Sequence, residues 1–176
     1  MQALFFLPTL MTDTPHHPPK IELQPIGFIR SAFQSVQGMP IQTVSATHVE
    51  GALQVLPQFQ PGLRDIEGFE YLILITHLHK ASEKLEVVPF MDTQSHGVFA
   101  TRAPARPNRM GLSIVQLIRV HEGCLHFRGN DMLDGTPVLD IKPYVPALDV
   151  RQTEHIGWFR HGLAQLPTAQ SDARMA

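Results

Sequence analysis

Two alternating segments, VQLIRVH (Val115 to His121) and CLHFRG (Cys124 to Gly129), are separated by the dipeptide Glu122-Gly123. A two-residue connection between runs of period two predicts a tight antiparallel hairpin, with every second side chain on one face. The surrounding chain repeats the theme: β-branched and aromatic runs are cut short by Gly, Pro and Asn-Asp. The pattern predicts strands near Ile21–Ser31, Gly51–Val55, Tyr71–His79, Gly97–Thr101, Leu112–Glu122, Cys124–Arg128 and Val138–Ile141. Helix is confined to a turn or two near Leu63–Ile66 and a short terminal piece within GWFRHGLAQL, Gly157 to Leu166. Many short strands with so little helix predict an all-β fold, a small single-domain β-barrel with short helical pieces in loops and at the C-terminus. Lys80–His96 is polar and irregular and reads as a mobile loop.

At 176 residues and 43% hydrophobic composition the chain can bury one core. A net charge of -2 excludes bulk basicity as the handle on a polyanion, so any such partner must meet a local patch. Cys124 stands alone, which excludes an internal disulfide framework and multi-cysteine zinc sites and fits a cytoplasmic, reducing compartment. The apolar run Leu4–Leu10 has no basic residue before it and no small-residue cleavage site after it, and is too short to span a bilayer. Residues 1–20 therefore read as a disordered leader, with Met11 as an alternative start, residues 21–146 as the barrel domain, and 147–176 as a partly disordered extension. No membrane association is expected. No glycine-rich dinucleotide fingerprint or GxxxxGK[ST] loop occurs, which argues against a Rossmann-type nucleotide site.

Three clusters carry chemistry. Between Asp92 and Glu122 the only charged side chains are Arg102, Arg106, Arg109 and Arg119, flanked by His96 and His121. Guanidinium forks suit carboxylates and phosphates, and Pro104 and Pro107 stiffen the loop that carries them, but a merely solvated loop has the same composition. Gly129 to Tyr144, GNDMLDGTPVLDIKPY, sets Asp131, Asp134 and Asp140 beside Lys142 and Tyr144 around an Asp-Gly turn. Such a turn offers backbone and carboxylate partners to a ligand, or is simply an Asx-rich turn; its spacing does not match a calcium-binding EF-hand loop. His77 and His79 would share one face of a strand and could form half of a metal site completed by His96, His121 or His126. No nucleophile elbow is present, and Cys124 has no activating neighbour in sequence.

Two of these clusters resemble known signatures. GVFATRAPARPNRMGLS, Gly97 to Ser113, is similar to the FATR-(Ser/Ala)-P-x-RPNPIG-(Leu/Met)-S pattern of the TsaA/TrmO family, and DMLDGTPVLDIKPYVP to its second signature. IGFIRSAF resembles that family's first strand, and GLRDIEGFEYLILITHLHKA its next conserved segment. Four motifs in order cover about Leu23 to Pro146.

The resemblance implies a β-barrel homodimer that binds S-adenosyl-L-methionine near the subunit interface and N6-methylates N6-threonylcarbamoyladenosine at position 37 in the anticodon loop of tRNA. It also implies cofactor contacts from the loop Met39, Pro40, Ile41 and Gln42, from His79 and Lys80, from Arg102 and Leu112, and from Asp131, Met132, Leu133, Asp134, Gly135 and Thr136. Arg106, Asn108 and Arg109 are the expected substrate contacts, and Asp134, Lys142 and Tyr144 the expected catalytic groups for handling the proton. The resemblance moves His79 from metal ligand to ligand contact, so no metal is expected. Two departures stand out: Arg109 occupies the position of the second proline of RPNPIG, and Ser31-Ala32 replaces Ser-Pro. The chain ends soon after Trp158, so the smaller second domain of longer members is not expected. The alternatives are a binding protein for S-adenosylmethionine or RNA without catalysis, and a metal-dependent barrel enzyme.

Overall fold

The structure is a computed structural model that describes residues 20–172. The expected leader up to residue 19 and the last four residues lie outside the described residues. Six strands close a barrel: β1 (Gly27–Arg30), β2 (Glu50–Val55), β3 (Tyr71–His77), β6 (Met110–His121), β7 (Cys124–Arg128) and β8 (Pro137–Pro143), in the order β1-β2-β7-β6-β3-β8. Every neighbouring pair is antiparallel, and closure leaves no bare edge along these staves. A separate pair, β4 (Glu86–Val87) and β5 (His96–Gly97), stands apart from the barrel.

Alternation drives the closure. In β3, Leu72, Leu74 and Thr76 point inward and are buried, while Tyr71, Ile73, Ile75 and His77 point outward. Ile29, Leu53, Val55, Leu72, Leu74, Val115, Leu125, Phe127, Met132 and Val138 fill the interior. Each such side chain contributes roughly 1.5–3 kcal/mol on full burial. The expected hairpin is present: His121 pairs with Cys124, and Glu122 and Gly123 take φ of 48° and 72°. Positive φ at both central residues matches the right-handed twist of the flanking strands.

Several boundaries differ from those expected. The first strand begins at Gly27 rather than Ile21, because Pro25 has no N–H for a ladder and Ile21 and Leu23 stay exposed. β3 ends at His77, where His79 N–H turns back to His77 O at 2.8 Å. The alternation that would place His77 and His79 on one strand face therefore stops short. The strand expected at Gly97–Thr101 is a 3-10 turn at Val98–Ala100, closed by Thr101 N–H and Oγ1 on Val98 O at 3.1 and 2.8 Å. Within the irregular stretch before it, Asp92 Oδ1 accepts from Thr93 and Gln94 N–H at 2.6 and 3.0 Å. The tail forms two short α-helices, α1 (Pro146–Asp149) and α2 (Phe159–Gly162), and a 3-10 stretch at Leu163–Thr168.

The connections are unequal. One end of the barrel carries the loops β1–β2, β3–β6 and β7–β8; the other carries β2–β3, the two-residue hairpin and the exit of β8. Most of the chemistry-bearing residues fall at the first end; Arg119, His121, His126, Lys142 and Tyr144 do not.

Candidate ligand cavity

The three long loops enclose a cavity of about 360 Å³. The β1–β2 loop supplies Ile41 and Gln42, the β3–β6 loop supplies residues from Leu78 to Arg106, and the β7–β8 loop supplies Asp131 and Met132. Strand ends complete it with Thr76 from β3 and Met110 to Ser113 from β6. Its size matches that of small-molecule sites. A narrower recess of about 50 Å³ adjoins it through the shared walls Leu78, Pro104, Asp131 and Met132, and adds Met39, His79, Lys80, Leu133 and Thr136.

The polar flank centres on Asp131. Its carboxylate accepts a hydrogen bond from Ser113 Oγ at 2.7 Å. One edge of the residue remains accessible from the cavity, yet dense packing pushes the carboxyl up to about 6, against the pull of the Ser113 hydroxyl and the nearby Arg102. Thr76 Oγ1, also on the cavity wall, is buried without a hydrogen-bond partner. Burial, with Lys80 and His77 next to it, lowers the His79 imidazole below its usual range, which keeps the ring neutral at pH 7.

Most expected cofactor residues meet here, in two roles. Ile41, Gln42, Arg102, Leu112, Asp131 and Met132 line the main cavity; His79, Lys80, Leu133 and Thr136 line the recess. Pro40 pairs with Gln170 in an isolated bridge and holds its loop in place. Asp134 and Gly135 brace the scaffold: Asp134 Oδ1 accepts from Ser31 N–H at 3.0 Å, and Gly135 N–H donates to Ile29 O at 2.8 Å.

The arginines divide their work. Arg102 is exposed at the mouth. Arg106 spends Nη1 on its own loop, donating to Thr101, Val98 and Ala103 carbonyls at 2.9, 3.2 and 3.4 Å, with its guanidinium carbon 5.9 Å from the Phe99 ring centre. Asn108 is exposed, and Arg109 adopts φ of 47° with its Nε 3.8 Å from Glu83 Oε1.

Lys142 and Tyr144 lie elsewhere. Lys142 pairs in register with Ile73 and forms an ion pair with Asp140 at 2.8 Å; Tyr144 N–H donates to Tyr71 O at 3.0 Å and its ring meets Tyr71 edge-on. Ile73 is three residues below Thr76, about 10 Å along the strand. Neither residue lines the cavity. His121 and His126 sit at the hairpin end, and among the described residues no cluster of three His, Cys, Asp or Glu could hold a metal.

Sequence reasoning missed part of the wall. Val87 to Met91 from the irregular loop, and Trp158 and Phe159 from the tail, form a largely apolar flank of the cavity. The available signal was the chain's only tryptophan, set beside phenylalanine in the tail.

These features define a small antiparallel barrel whose loops at one end build an amphipathic ligand cavity. The model of the tRNA-methyltransferase O N-terminal domain matches residues 28–150, and the chain belongs to this family. A probable S-adenosyl-L-methionine-binding protein of Pyrococcus abyssi is 49% identical over 152 residues, covering 86% of this chain and 83% of its own. The human tRNA (adenine(37)-N6)-methyltransferase is 34% identical over 137 residues, which are 73% of this chain and 31% of that protein. The crystal structure of TrmO from Pseudomonas aeruginosa superposes with a TM-score of 0.67 at 39% identity, covering 79% of this chain and 62% of that one. The chain thus spans about three-fifths of that structure and under a third of the human enzyme.

Proposed function

We propose that the protein is an S-adenosylmethionine-dependent tRNA methyltransferase acting on N6 of the threonylcarbamoylated adenosine at position 37, in the cytoplasm. The observation that carries this reading is the meeting of Arg102 and Asp131, from two separate signature motifs, on the wall of one amphipathic cavity.

The donor set suits this cofactor. A buried carboxyl with a raised pKa is relieved by a permanent cation, and an exposed guanidinium offers a fork to a carboxylate. Asp131 would face the sulfonium or ammonium charge, Arg102 the carboxylate, and Thr76 Oγ1 and Ser113 would offer hydroxyl partners. When bound, the cofactor supplies an electrophilic methyl group. Leu112, Met132 and Ile41 exclude water around the polar flank, and the exposed Arg102 and Asn108 of the β3–β6 loop would meet RNA phosphate or the threonyl carboxylate. Arg106 chiefly keeps this loop in shape. Anticodon-loop bases can be splayed without breaking a duplex, so a small patch suffices on a chain of net charge -2.

A homodimer is supported by the outer face of β3 and β6. Met110, Leu112, Ile114 and Ile118 are exposed there, with Leu112 beside Ile75 and Ile114 beside Ile73. An apolar stripe of this kind calls for a cover, and it runs directly into the cavity wall through Met110 and Leu112. Lys142 and Tyr144, remote from the cavity of their own subunit, handle a proton in this reading only from a second copy.

Nucleoside mass spectrometry of tRNA from cells with and without the gene tests the activity. Loss of the N6-methylated threonylcarbamoyladenosine peak on deletion is expected; an unchanged peak would sink the reading.

A further inference from the structure

The apolar flank of the cavity is built in advance. Trp158 stacks on Phe159, ring centres 4.0 Å apart at 23°, and on His96, 4.9 Å apart at 16°. The indole N–H donates to Ala100 O at 2.8 Å, and His96 Nε2 lies 3.1 Å from Asp92 Oδ2. Trp158 and Phe159 face the cavity with Val87, Val88, Phe90 and Met91, whereas His96 does not line it.

The segment that carries these rings is fastened at both ends. A Cβ on Gly162 would fall 2.6 Å from Met91 Cβ and 2.9 Å from Met91 O, so only glycine lets α2 seat against that loop. Further on, Ser171 N–H donates to Met39 O at 2.8 Å, and Gln170 pairs with Pro40. The tail therefore crosses from one cavity wall to the other.

We propose that the Phe159 ring, backed by Trp158, forms a purine-stacking subsite in this cavity, held by the C-terminal strap. Arg102 and Asp131 carry charge on the same lining, so a ligand with a charged tail and a planar ring lies with its tail toward them and its ring against Phe159. The inference rests on the methyltransferase reading for its candidate purines, the adenine of the cofactor and the acceptor base of the RNA.

Trp158 is the chain's only tryptophan, so its emission reports directly on this wall. The full chain is titrated with adenosine, S-adenosylmethionine, methionine and an anticodon stem-loop RNA, with calorimetry of S-adenosylmethionine in parallel. If the cofactor's adenine occupies the subsite, adenosine and S-adenosylmethionine change the emission saturably and methionine does not. Phe159→Ala, which keeps the reporter, then weakens adenosine binding on the order of 5- to 150-fold, and Phe159→Tyr restores it. If the acceptor base occupies it, emission responds instead to the stem-loop added to cofactor-saturated protein, and Phe159→Ala weakens RNA binding by a similar factor. A Trp158 signal that ignores every probe, or full affinity for both purine ligands in a folded Phe159→Ala, overturns the proposal. Quenching by adenosine without S-adenosylmethionine heat removes the methyltransferase reading and leaves the subsite standing. Heat with a silent Trp158 does the reverse.

Discussion

The two ends of the barrel are built by different rules. At the hairpin end, β6 and β7 are joined by two residues whose backbone angles suit the turn, and the exposed His121 and Glu122, neighbours in sequence, lie 3.8 Å apart. At the cavity end, three loops and a returning tail meet, and their contacts join residues more than a hundred positions apart, as in Ser31 with Asp134 or Met39 with Ser171. Local chemistry makes a tight turn; only long-range assembly makes a chamber lined by both charged and aromatic side chains.

The comparison is tested most severely through the staves that both ends share. Phe127→Ala, at the centre of the core, should cost about 3–5 kcal/mol in chemical denaturation and abolish ligand binding with it. Binding retained in a largely unfolded population would show that the cavity end is an independent unit. A smaller effect is expected from Arg109→Pro, which restores the family's residue. Proline is held near φ of -65°, whereas Arg109 stands at 47° and donates its N–H to Arg106 O at 3.0 Å. A loss of about 1–3 kcal/mol in thermal or denaturant melts, with weaker ligand binding, is expected. An unperturbed variant would mean that this loop readily takes a second conformation.

The next effect distinguishes the chamber electrostatically. Asp131 has a folded-state pKa raised to about 6, so it favours folding below its unfolded value near 4, and that contribution is lost as pH rises through 6. For a cationic ligand the sign is opposite, because the ionised form binds. S-adenosylmethionine affinity should therefore fall about tenfold between pH 7 and pH 5, and Asp131→Asn should bind weakly with the dependence gone. A flat calorimetric pH profile for the native protein would remove Asp131 from the cation's surroundings. The smallest effect is expected at the far end: Lys142→Ala breaks an exposed ion pair with Asp140 and should change stability by less than about 1 kcal/mol. A larger loss would mean that this pair is covered, as a second copy on the adjoining β3–β6 face would cover it.

Much was legible along the chain because much is local. Period-two alternation marked six staves, Glu122-Gly123 marked the hairpin, and the ordered motifs marked loops that do converge on one cavity. Strand ends were less legible, since the chain carries no sign that Thr101 would turn back onto Val98 or His79 onto His77. Within the Asp131–Thr136 turn, sequence could not distinguish the carboxylate that faces the cavity from Asp134, which holds Ser31 in place.

Alternation and turn chemistry depend on near neighbours, so the residue order alone specified an all-β barrel; the gathering of its signature loops at one end came from strand order and closure. The placement of Lys142 and Tyr144 at the opposite end follows from strand register. The joining of Trp158 and Phe159 to a cavity whose other wall begins at Ile41 follows from the tail's return across the loops. Both depend on closure of the barrel, which brings distant segments together through many weak contacts that no single stretch of sequence records.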